Sequence, residues 1–165
     1  MKKSILVILL LLIGNLTFSQ THKIVKLLNE QLQKEYNKYY DEADKERFEL
    51  TQPYKIDEKG VLSFVFSEND NQYNGKTTYY RTVPIDKIIR LDKDMNVIFV
   101  TDGEEALEVV TTYDSKGNLI RENNYRSSIF QTAIHKEKQN ERFRKALIKA
   151  FKKTGYAIES EYWWD

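Results

Sequence analysis

The hydrophobic positions of this chain repeat with two different periods. Between residues 22 and 44 they recur at steps of three or four, which predicts a helix with one apolar face. That face is expected to comprise Val25, Leu28, Leu32, Tyr36, Tyr39 and Ala43. From Tyr54 the period changes to two, and Leu62, Phe64 and Phe66 place three large apolar side chains on one face of a strand. The chain is therefore expected to begin with a helix and to continue into a sheet.

The region from residue 54 to residue 126 is predicted to form a sheet of six or seven strands. The seven predicted strands span residues 54–57, 62–67, 77–83, 85–91, 97–101, 105–113 and 118–125. Pro84 could instead bend one long strand, which would reduce the count to six. The connections are short, and this favours an antiparallel meander. The acidic stretch before the sheet, residues 41–49, is expected to form a connector that ends at Pro53.

Two of the turns between predicted strands share one sequence pattern. Asp57–Gly60 and Asp114–Gly117 both follow Asp-x-Lys-Gly. In such a turn the aspartate opens the turn and the glycine takes the position with positive φ. Gly75 and Gly103 also fall between predicted strands, so positive φ is expected at both of them.

A second amphipathic helix is predicted over residues 134–153. Its apolar stripe comprises Phe143, Ala146, Leu147, Ala150 and Phe151. The last segment, residues 156–165, is rich in aromatic side chains and could form a further strand at a sheet edge or a flexible end. These elements predict one α+β domain over residues 20–165, in which two helices cover the apolar surface of an antiparallel sheet.

The first nineteen residues have the three parts of a secretory signal peptide. Lys2 and Lys3 are positively charged, Ile5–Ile13 is an unbroken apolar run, and residues 17–19 place small side chains at the −3 and −1 positions of a cleavage site. A membrane-spanning helix needs about 20 apolar residues, which disfavours the alternative of an uncleaved anchor. The Thr-Phe-Ser-Gln ending resembles signal peptides of Bacteroidota-type bacteria. We expect a mature chain that begins near Gln20, has no transmembrane segment, and is periplasmic or secreted.

Composition disfavours several classes of chemistry. The chain has no cysteine, so it can form neither a disulfide nor a thiol nucleophile. Removal of Lys2 and Lys3 lowers the basic count from 26 to 24 against 25 acidic residues, so the overall charge gives no reason to expect nucleic acid as a partner. No Gly-x-Ser-x-Gly, His-Glu-x-x-His or phosphate-binding glycine loop occurs. The two histidines, His22 and His135, are poor support for a metal site, and no metal or cofactor is expected.

Charge is less even locally than it is overall. Residues 136–153 hold eight basic side chains against two acidic ones, whereas residues 92–108 hold six acidic side chains against Lys93 alone. One interpretation is a cationic face that binds anionic lipid, glycan or an acidic protein. The other is a solvated helix surface, or one that complements the acidic strands of its own sheet. The residues selected as candidate contacts are Lys145, Lys149, Lys152, Lys153, Trp163 and Trp164.

The order of the predicted elements resembles the pleckstrin-homology-like architecture, in which seven meandering strands precede an amphipathic helix. The resemblance covers residues 54–153 and consists of element order alone. It implies a binding module for peptides or phospholipid headgroups, and it implies no particular binding residues. The N-terminal helix and the aromatic tail depart from that architecture.

These features favour a non-catalytic binding or interaction module of the cell envelope, whose partner is a protein, a lipid or a glycan. Two alternatives stay open. A hydrolase could assemble an acidic site from residues far apart in the sequence, and it would have convergent carboxylates in a deep pocket. A structural subunit could instead associate through its C-terminal tail by strand addition.

Signal cleavage predicts the mass of the exported protein. We expect the intact mass of protein released from the periplasm or the medium of a bacterial host to correspond to residues 20–165, because cleavage after Ser19 removes the apolar run. The measurement is mass spectrometry of the undigested chain. A mass that still includes residues 1–19 would contradict cleavage and favour the membrane anchor.

Overall fold

The computed structural model describes residues 21–36, 48–135 and 140–164, which include two helices. Residues 21–36 form helix α1, and Asn140–Lys153 form helix α2. The helix predicted over residues 22–44 is confirmed across its described part, whereas residues 37–44 and the expected signal peptide lie outside the described residues. In the described part, no helix combines the length and the apolar character needed to cross a membrane.

Eight strands lie between the two helices. They are β1 Phe48–Ile56, β2 Val61–Asp70, β3 Gly75–Pro84, β4 Ile88–Lys93, β5 Val97–Thr101, β6 Ala106–Tyr113, β7 Leu119–Ser127 and β8 Ile129–Gln131. Every pair of neighbouring strands is antiparallel. The expected α+β class with antiparallel pairing is therefore confirmed.

The strands form two sheets, where the sequence predicted one meander. The larger sheet has the order β1-β2-β3-β6-β7, and the smaller one has the order β4-β5-β8. Pro84 is the last residue of β3, and a 3-10 turn over Ile85–Lys87 separates β3 from β4, so the chain forms two strands here and not one long strand bent at Pro84. The β4–β5 hairpin then leaves the larger sheet, and β6 returns to pair with β3. The sequence did not predict β8, because a strand of three residues is too short to show a period.

Strand β1 begins at Phe48, so the expected connector up to Pro53 is wrong for residues 48–53. Phe48 is buried and stacks on Phe66 of β2, with the ring centroids 5.1 Å apart. Pro53 fits because β1 is an edge strand with an irregular register, where a missing N–H need not break the pairing.

Helix α1 packs on the core through a stripe that differs from the predicted one at its start. Ile24, Leu28 and Leu32 are buried in the core, whereas Val25 is only half-buried. These three residues are spaced by four, so they lie on one side of the helix and face the same cluster of core side chains. The predicted face was therefore right at Leu28 and Leu32 and wrong at Val25.

Helix α2 packs its predicted apolar stripe on the smaller sheet. Phe151 lies against Phe99 of β5 with the ring centroids 5.6 Å apart, and the other stripe residues are buried except for half-buried Ala146. The helix begins at Asn140, so the predicted start at residue 134 is wrong. Ile134 is buried and not helical, and its carbonyl accepts a hydrogen bond from the first N–H of β5 at 2.7 Å.

Tyr54 of β1 contacts three different parts of the structure. Its side chain is buried and stacks on Phe64 of β2, with the centroids 4.6 Å apart. The phenol oxygen accepts a hydrogen bond from the N–H of Ala133, just beyond β8, at 2.9 Å. The side-chain amide of Asn29 in α1 bonds both the N–H and the carbonyl of Tyr54, at 2.9 and 2.8 Å. Burial raises the pKa of the Tyr54 hydroxyl, which is therefore neutral at physiological pH.

The two Asp-x-Lys-Gly turns have the predicted geometry and make the same hydrogen bonds. One carboxylate oxygen of Asp114 accepts from the N–H groups two and four residues further on, both at 2.8 Å. Asp57 makes the equivalent pair of bonds at 2.9 Å. The glycines of the two turns have φ angles of 77° and 83°, in the left-handed region that glycine adopts without strain.

Gly75 has a different role from the one predicted. Positive φ at that turn belongs to Asn74, and Gly75 is the first residue of β3. A Cβ at Gly75 would lie 1.9 Å from the carbonyl oxygen of Tyr113, so glycine is required there for β3 to approach β6. The positive φ expected at Gly103 is also not observed.

Replacement of Tyr54 with phenylalanine should destabilise the protein. The change keeps the stacked ring but removes the acceptor of the Ala133 N–H, which should lower the free energy of unfolding by about 1–3 kcal/mol. Urea denaturation followed by circular dichroism measures this difference. Tyr113→Phe is the matched control, because that side chain is 36% exposed, and its effect should stay within about 0.5 kcal/mol. A Tyr54→Phe protein as stable as the parent would contradict the linking role of this hydroxyl.

Asp114 should titrate at unusually low pH. The amide of Asn118 donates to its second carboxylate oxygen at 2.9 Å, and this bond together with the backbone bonds lowers the pKa of Asp114 from its ordinary value. The resulting stabilisation is present above the pKa of the unfolded chain and is lost as the pH falls through the lower folded value. In a carbon-detected NMR titration, Asn118→Ala should raise the pKa of Asp114. An unchanged titration would show that this amide is not the main cause.

Candidate functional site

A cleft lies where the chain passes from the larger sheet to the smaller one. β7 ends at Ser127, and the chain continues after Ser128 as β8. The carbonyl of Ser128 accepts hydrogen bonds from the backbone N–H and the hydroxyl of Thr101 at 2.8 and 3.2 Å, which fixes the crossing point. The cleft has a volume of about 320 Å³. Its main lining residues are Arg81, Glu108, Tyr125, Ile129, Phe130 and Gln131.

One wall of the cleft carries an ion pair between Arg81 and Glu108, which lie directly opposite each other on β3 and β6. Nε of Arg81 donates to the Glu108 carboxylate, and the two side chains are 17% and 28% exposed. Nη1 of Arg81 donates to the carbonyl of Gln131 at 3.2 Å, and the guanidinium lies 4.9 Å from the centre of the Phe66 ring. Among the described residues, none accepts a hydrogen bond from Nη2. This nitrogen is the donor that the site can offer to an oxygen atom of a ligand.

The remaining surface of the cleft is aromatic and aliphatic. Phe130 is buried and lines the cleft from the core side, where its ring contacts that of Phe99. Tyr125 lies directly opposite Glu108 in the pairing of β6 with β7 and is 53% exposed. Ile129 is similarly exposed at the start of β8. A partly buried ion pair beside exposed apolar side chains is a combination suited to binding.

The hydrolase alternative predicts several carboxylates that converge in the cleft. Among the described residues that line it, Glu108 is the one carboxylate, and Arg81 holds that carboxylate in an ion pair. Across the described ranges, no three side chains of His, Cys, Asp or Glu come together as a metal site would require. His135 is not helical, and its backbone N–H donates to the buried carboxylate of Glu35 at 2.6 Å.

The four lysines selected from the sequence form a stripe on α2, on the side away from the core. They are Lys145, Lys149, Lys152 and Lys153, and all four are exposed. Glu141 lies 3.9 Å from Lys145. In the part of the chain that the structure describes, the other three lysines have no carboxylate partner, and no ion pair joins α2 to the acidic segment 92–108. Within the described residues, the stripe therefore does not neutralise the acidic strands.

The C-terminal tail pairs in parallel with the outer edge of β4, through backbone bridges at Arg90 and Lys93. Asp92 is buried and accepts hydrogen bonds from two tail N–H groups at 3.4 and 3.3 Å. Lys93 is also buried, and its ammonium group donates to the carbonyl of Trp164 at 2.9 Å. The sequence did not identify these residues, because nothing local distinguishes an aspartate bound to a distant backbone from one in solvent.

The two selected tryptophans lie beside the first turns of α2. The carbonyl of Trp164 accepts a hydrogen bond from the Asn140 side chain at 3.1 Å, and its indole is 65% exposed. Trp163 packs against the core, and its ring centre lies 5.9 Å from the Arg144 guanidinium. Lys152 lies about 12 Å further along the helix axis than Arg144. The two tryptophans therefore lie near the start of α2, whereas Lys152 and Lys153 lie at its other end.

Comparison with known proteins does not assign this chain to a family. No protein-family model matches it, and neither a curated protein nor a solved structure does so. The resemblance to pleckstrin-homology-like domains stays a prediction. Functional inference rests on the geometry of the cleft and of the surfaces around it.

Proposed function

We propose that this protein is a non-catalytic binding module that works in the cell envelope after export, and that its ligand binds in the cleft between the two sheets. The observation that carries the proposal is the Arg81–Glu108 ion pair beside the exposed side chains of Tyr125 and Ile129. The guanidinium is held by two bonds and one ring contact, so a ligand would meet an Arg81 whose position is already set.

The cleft favours a short segment of an envelope protein in which a carboxylate lies next to an apolar side chain. A carboxylate oxygen can accept a charge-assisted hydrogen bond from Nη2 of Arg81. The apolar side chain would then contact Tyr125 and Ile129. A volume of about 320 Å³ is at the small end of ligand sites, so it suits one or two side chains of a peptide and not a larger group.

The lysine stripe of α2 is a second candidate surface. In the described part of the chain, no acidic side chain pairs with Lys149, Lys152 or Lys153, and Trp164 is exposed. Such a surface would suit an anionic lipid headgroup or an acidic glycan. The cleft has the stronger support because its charged groups are partly buried and held in place, whereas exposed lysines on a helix surface are common.

The two alternative functions have less support from the geometry. A hydrolase would need a carboxylate free to transfer protons or attack, and the carboxylate of the cleft is paired with Arg81. Association through the tail would need tail backbone groups that are free to pair with a neighbour, and several of them are bonded to β4.

A screen of short carboxylate-bearing peptides against the purified protein tests the proposal, with the affinity of any hit measured by calorimetry. Tyr125→Ala should weaken binding at least about tenfold, which corresponds to about 1.4 kcal/mol, because it removes an exposed wall of the cleft. Tyr113→Ala is the matched control, since Tyr113 is an exposed tyrosine of the same sheet that does not line the cleft. The control should bind as the parent does.

A charge-reversal variant distinguishes the cleft from the lysine stripe. Replacement of Lys145, Lys149, Lys152 and Lys153 with glutamate should leave peptide binding unchanged if the ligand occupies the cleft. Loss of binding in that variant, with Tyr125→Ala unaffected, would move the site to α2. A screen in which no binder depends on Tyr125 would contradict the proposed ligand class.

A further inference from the structure

The outer edge of β7 differs from the other sheet edges in the described part of the chain. At the β1 edge, Asn29 of α1 bonds the backbone of Tyr54, and the register of β1 is irregular. The C-terminal tail pairs with the edge of β4. β8 is three residues long, and Arg81 bonds the carbonyl of Gln131. No described segment pairs with the outer side of β7.

Strand β7 is long, regular and exposed. It spans Leu119–Ser127, and every side chain in it is exposed except half-buried Asn123. Its pairing with β6 runs without a shift from Ser127 to Arg121, and it contains neither proline nor glycine. Such an edge presents a row of unpaired N–H and carbonyl groups and is a template for another strand.

We propose that a second copy of this chain pairs with this edge, β7 against β7, in an antiparallel arrangement about a two-fold axis through Asn124. The two five-stranded sheets would then form one continuous sheet. The interface would be isologous, because the same surface is used by both copies. The inference does not depend on the proposed ligand of the cleft, although Tyr125 of β7 also lines that cleft.

The charges of β7 select the position of the axis. In a two-fold antiparallel pair, the residue on the axis faces itself, and residues equally far to either side of it face each other. An axis at Arg121, Glu122 or Arg126 would place two like charges face to face. An axis at Asn123 or Tyr125 would leave all three charged residues opposite uncharged ones. An axis at Asn124 places Glu122 of each copy opposite Arg126 of the other.

The faces of the strand agree with this register. Glu122 and Arg126 are separated by an even number of residues, so both side chains lie on the same face of the sheet and can meet across the interface. Neither residue has an ion-pair partner in the described part of the chain, and Arg126 makes only a long bond of 3.5 Å to the carbonyl of Glu104. The pairing would therefore not break an existing described ion pair.

A series of charge-swap variants tests the interface. Their dimerisation is measured by sedimentation velocity over a range of concentrations. The protein is made from the full-length gene in a bacterial host that exports it. The parent should form a dimer. Glu122→Arg and Arg126→Glu should each weaken dimerisation at least tenfold, because each places like charges face to face twice, and the double variant should restore it. Lys116→Glu is the control for altered charge, since Lys116 lies in the exposed turn before β7 and should leave the dimer intact. Thermal unfolding of each variant verifies that it is folded.

Single cysteines test the register, because the chain has none of its own. Directly opposite Cα atoms in an antiparallel pair are about 4.5–5.5 Å apart, within the range of about 4.4–6.8 Å that a disulfide spans. Asn124→Cys should therefore give a disulfide-linked dimer under mild oxidation. The two copies of residue 123 would be about 8 Å apart by strand geometry, so Asn123→Cys should stay largely unlinked.

Three results would overturn the proposal. The first is a parent protein that is monomeric at every concentration. If the β7 amides of such a monomer became protected from hydrogen exchange only after a foreign peptide is added, the edge would be assigned to a different partner. The second is a dimer that neither single charge reversal weakens. The third is equal cross-linking at positions 123 and 124, which would exclude an axis at Asn124.

Discussion

Buried Tyr54 contacts three elements, namely β2, helix α1 and the segment that follows β8, and their packing against one another depends on these contacts. Its ring stacks within the larger sheet, and its hydroxyl accepts the N–H of Ala133, in the segment that leads from β8 toward α2. The side-chain amide of Asn29 in α1 bonds the N–H and the carbonyl of Tyr54, so these two backbone groups of the edge strand β1 have a partner outside the sheet. The buried phenol oxygen is not left unsatisfied, because the N–H of Ala133 donates to it.

The crossing of the chain from β7 to β8 forms the cleft and also determines the position of the outer edge of β7. The bend at Ser128 brings β8 beside β3 and β6, which encloses the Arg81–Glu108 pair and forms the cleft. The same bend leaves β7 as the last strand of the larger sheet, with its outer side unpaired by any described segment. The cleft and the free edge thus share Tyr125, whose strand belongs to both.

The β4 strand shows how this chain places charged groups inside its structure. Asp92 and Lys93 are buried, and each is bonded to the backbone of the tail. The guanidinium of Arg90 bonds Asp92 at 2.6 Å and lies 5.3 Å from the centre of the Tyr162 ring. Buried charges without such partners would be strongly destabilising. The bonds of Asp92 and Lys93 to the tail backbone, together with the contact of Arg90 with Tyr162, explain why this aromatic tail is held along the edge of β4.

Local pattern alone determined much of the fold of this protein. The helical period identified α1 and α2, the alternation of Leu62, Phe64 and Phe66 identified the core face of β2, and the Asp-x-Lys-Gly pattern gave the correct geometry of two turns. In each case the information lies within a few neighbouring residues, because helix faces, strand faces and turns are set by short-range backbone geometry.

Only the tertiary structure decided how the strands divide into two sheets, where the tail lies and which residues form the cleft. Arg81, Glu108 and Gln131 belong to three different strands, and β8 joins β5 across a long stretch of sequence. The sequence pattern marked four lysines and two tryptophans, whereas the structure brought together an ion pair that no motif indicates. Contacts between residues far apart in the chain depend on how the whole core packs, and they leave no periodic signal in the sequence.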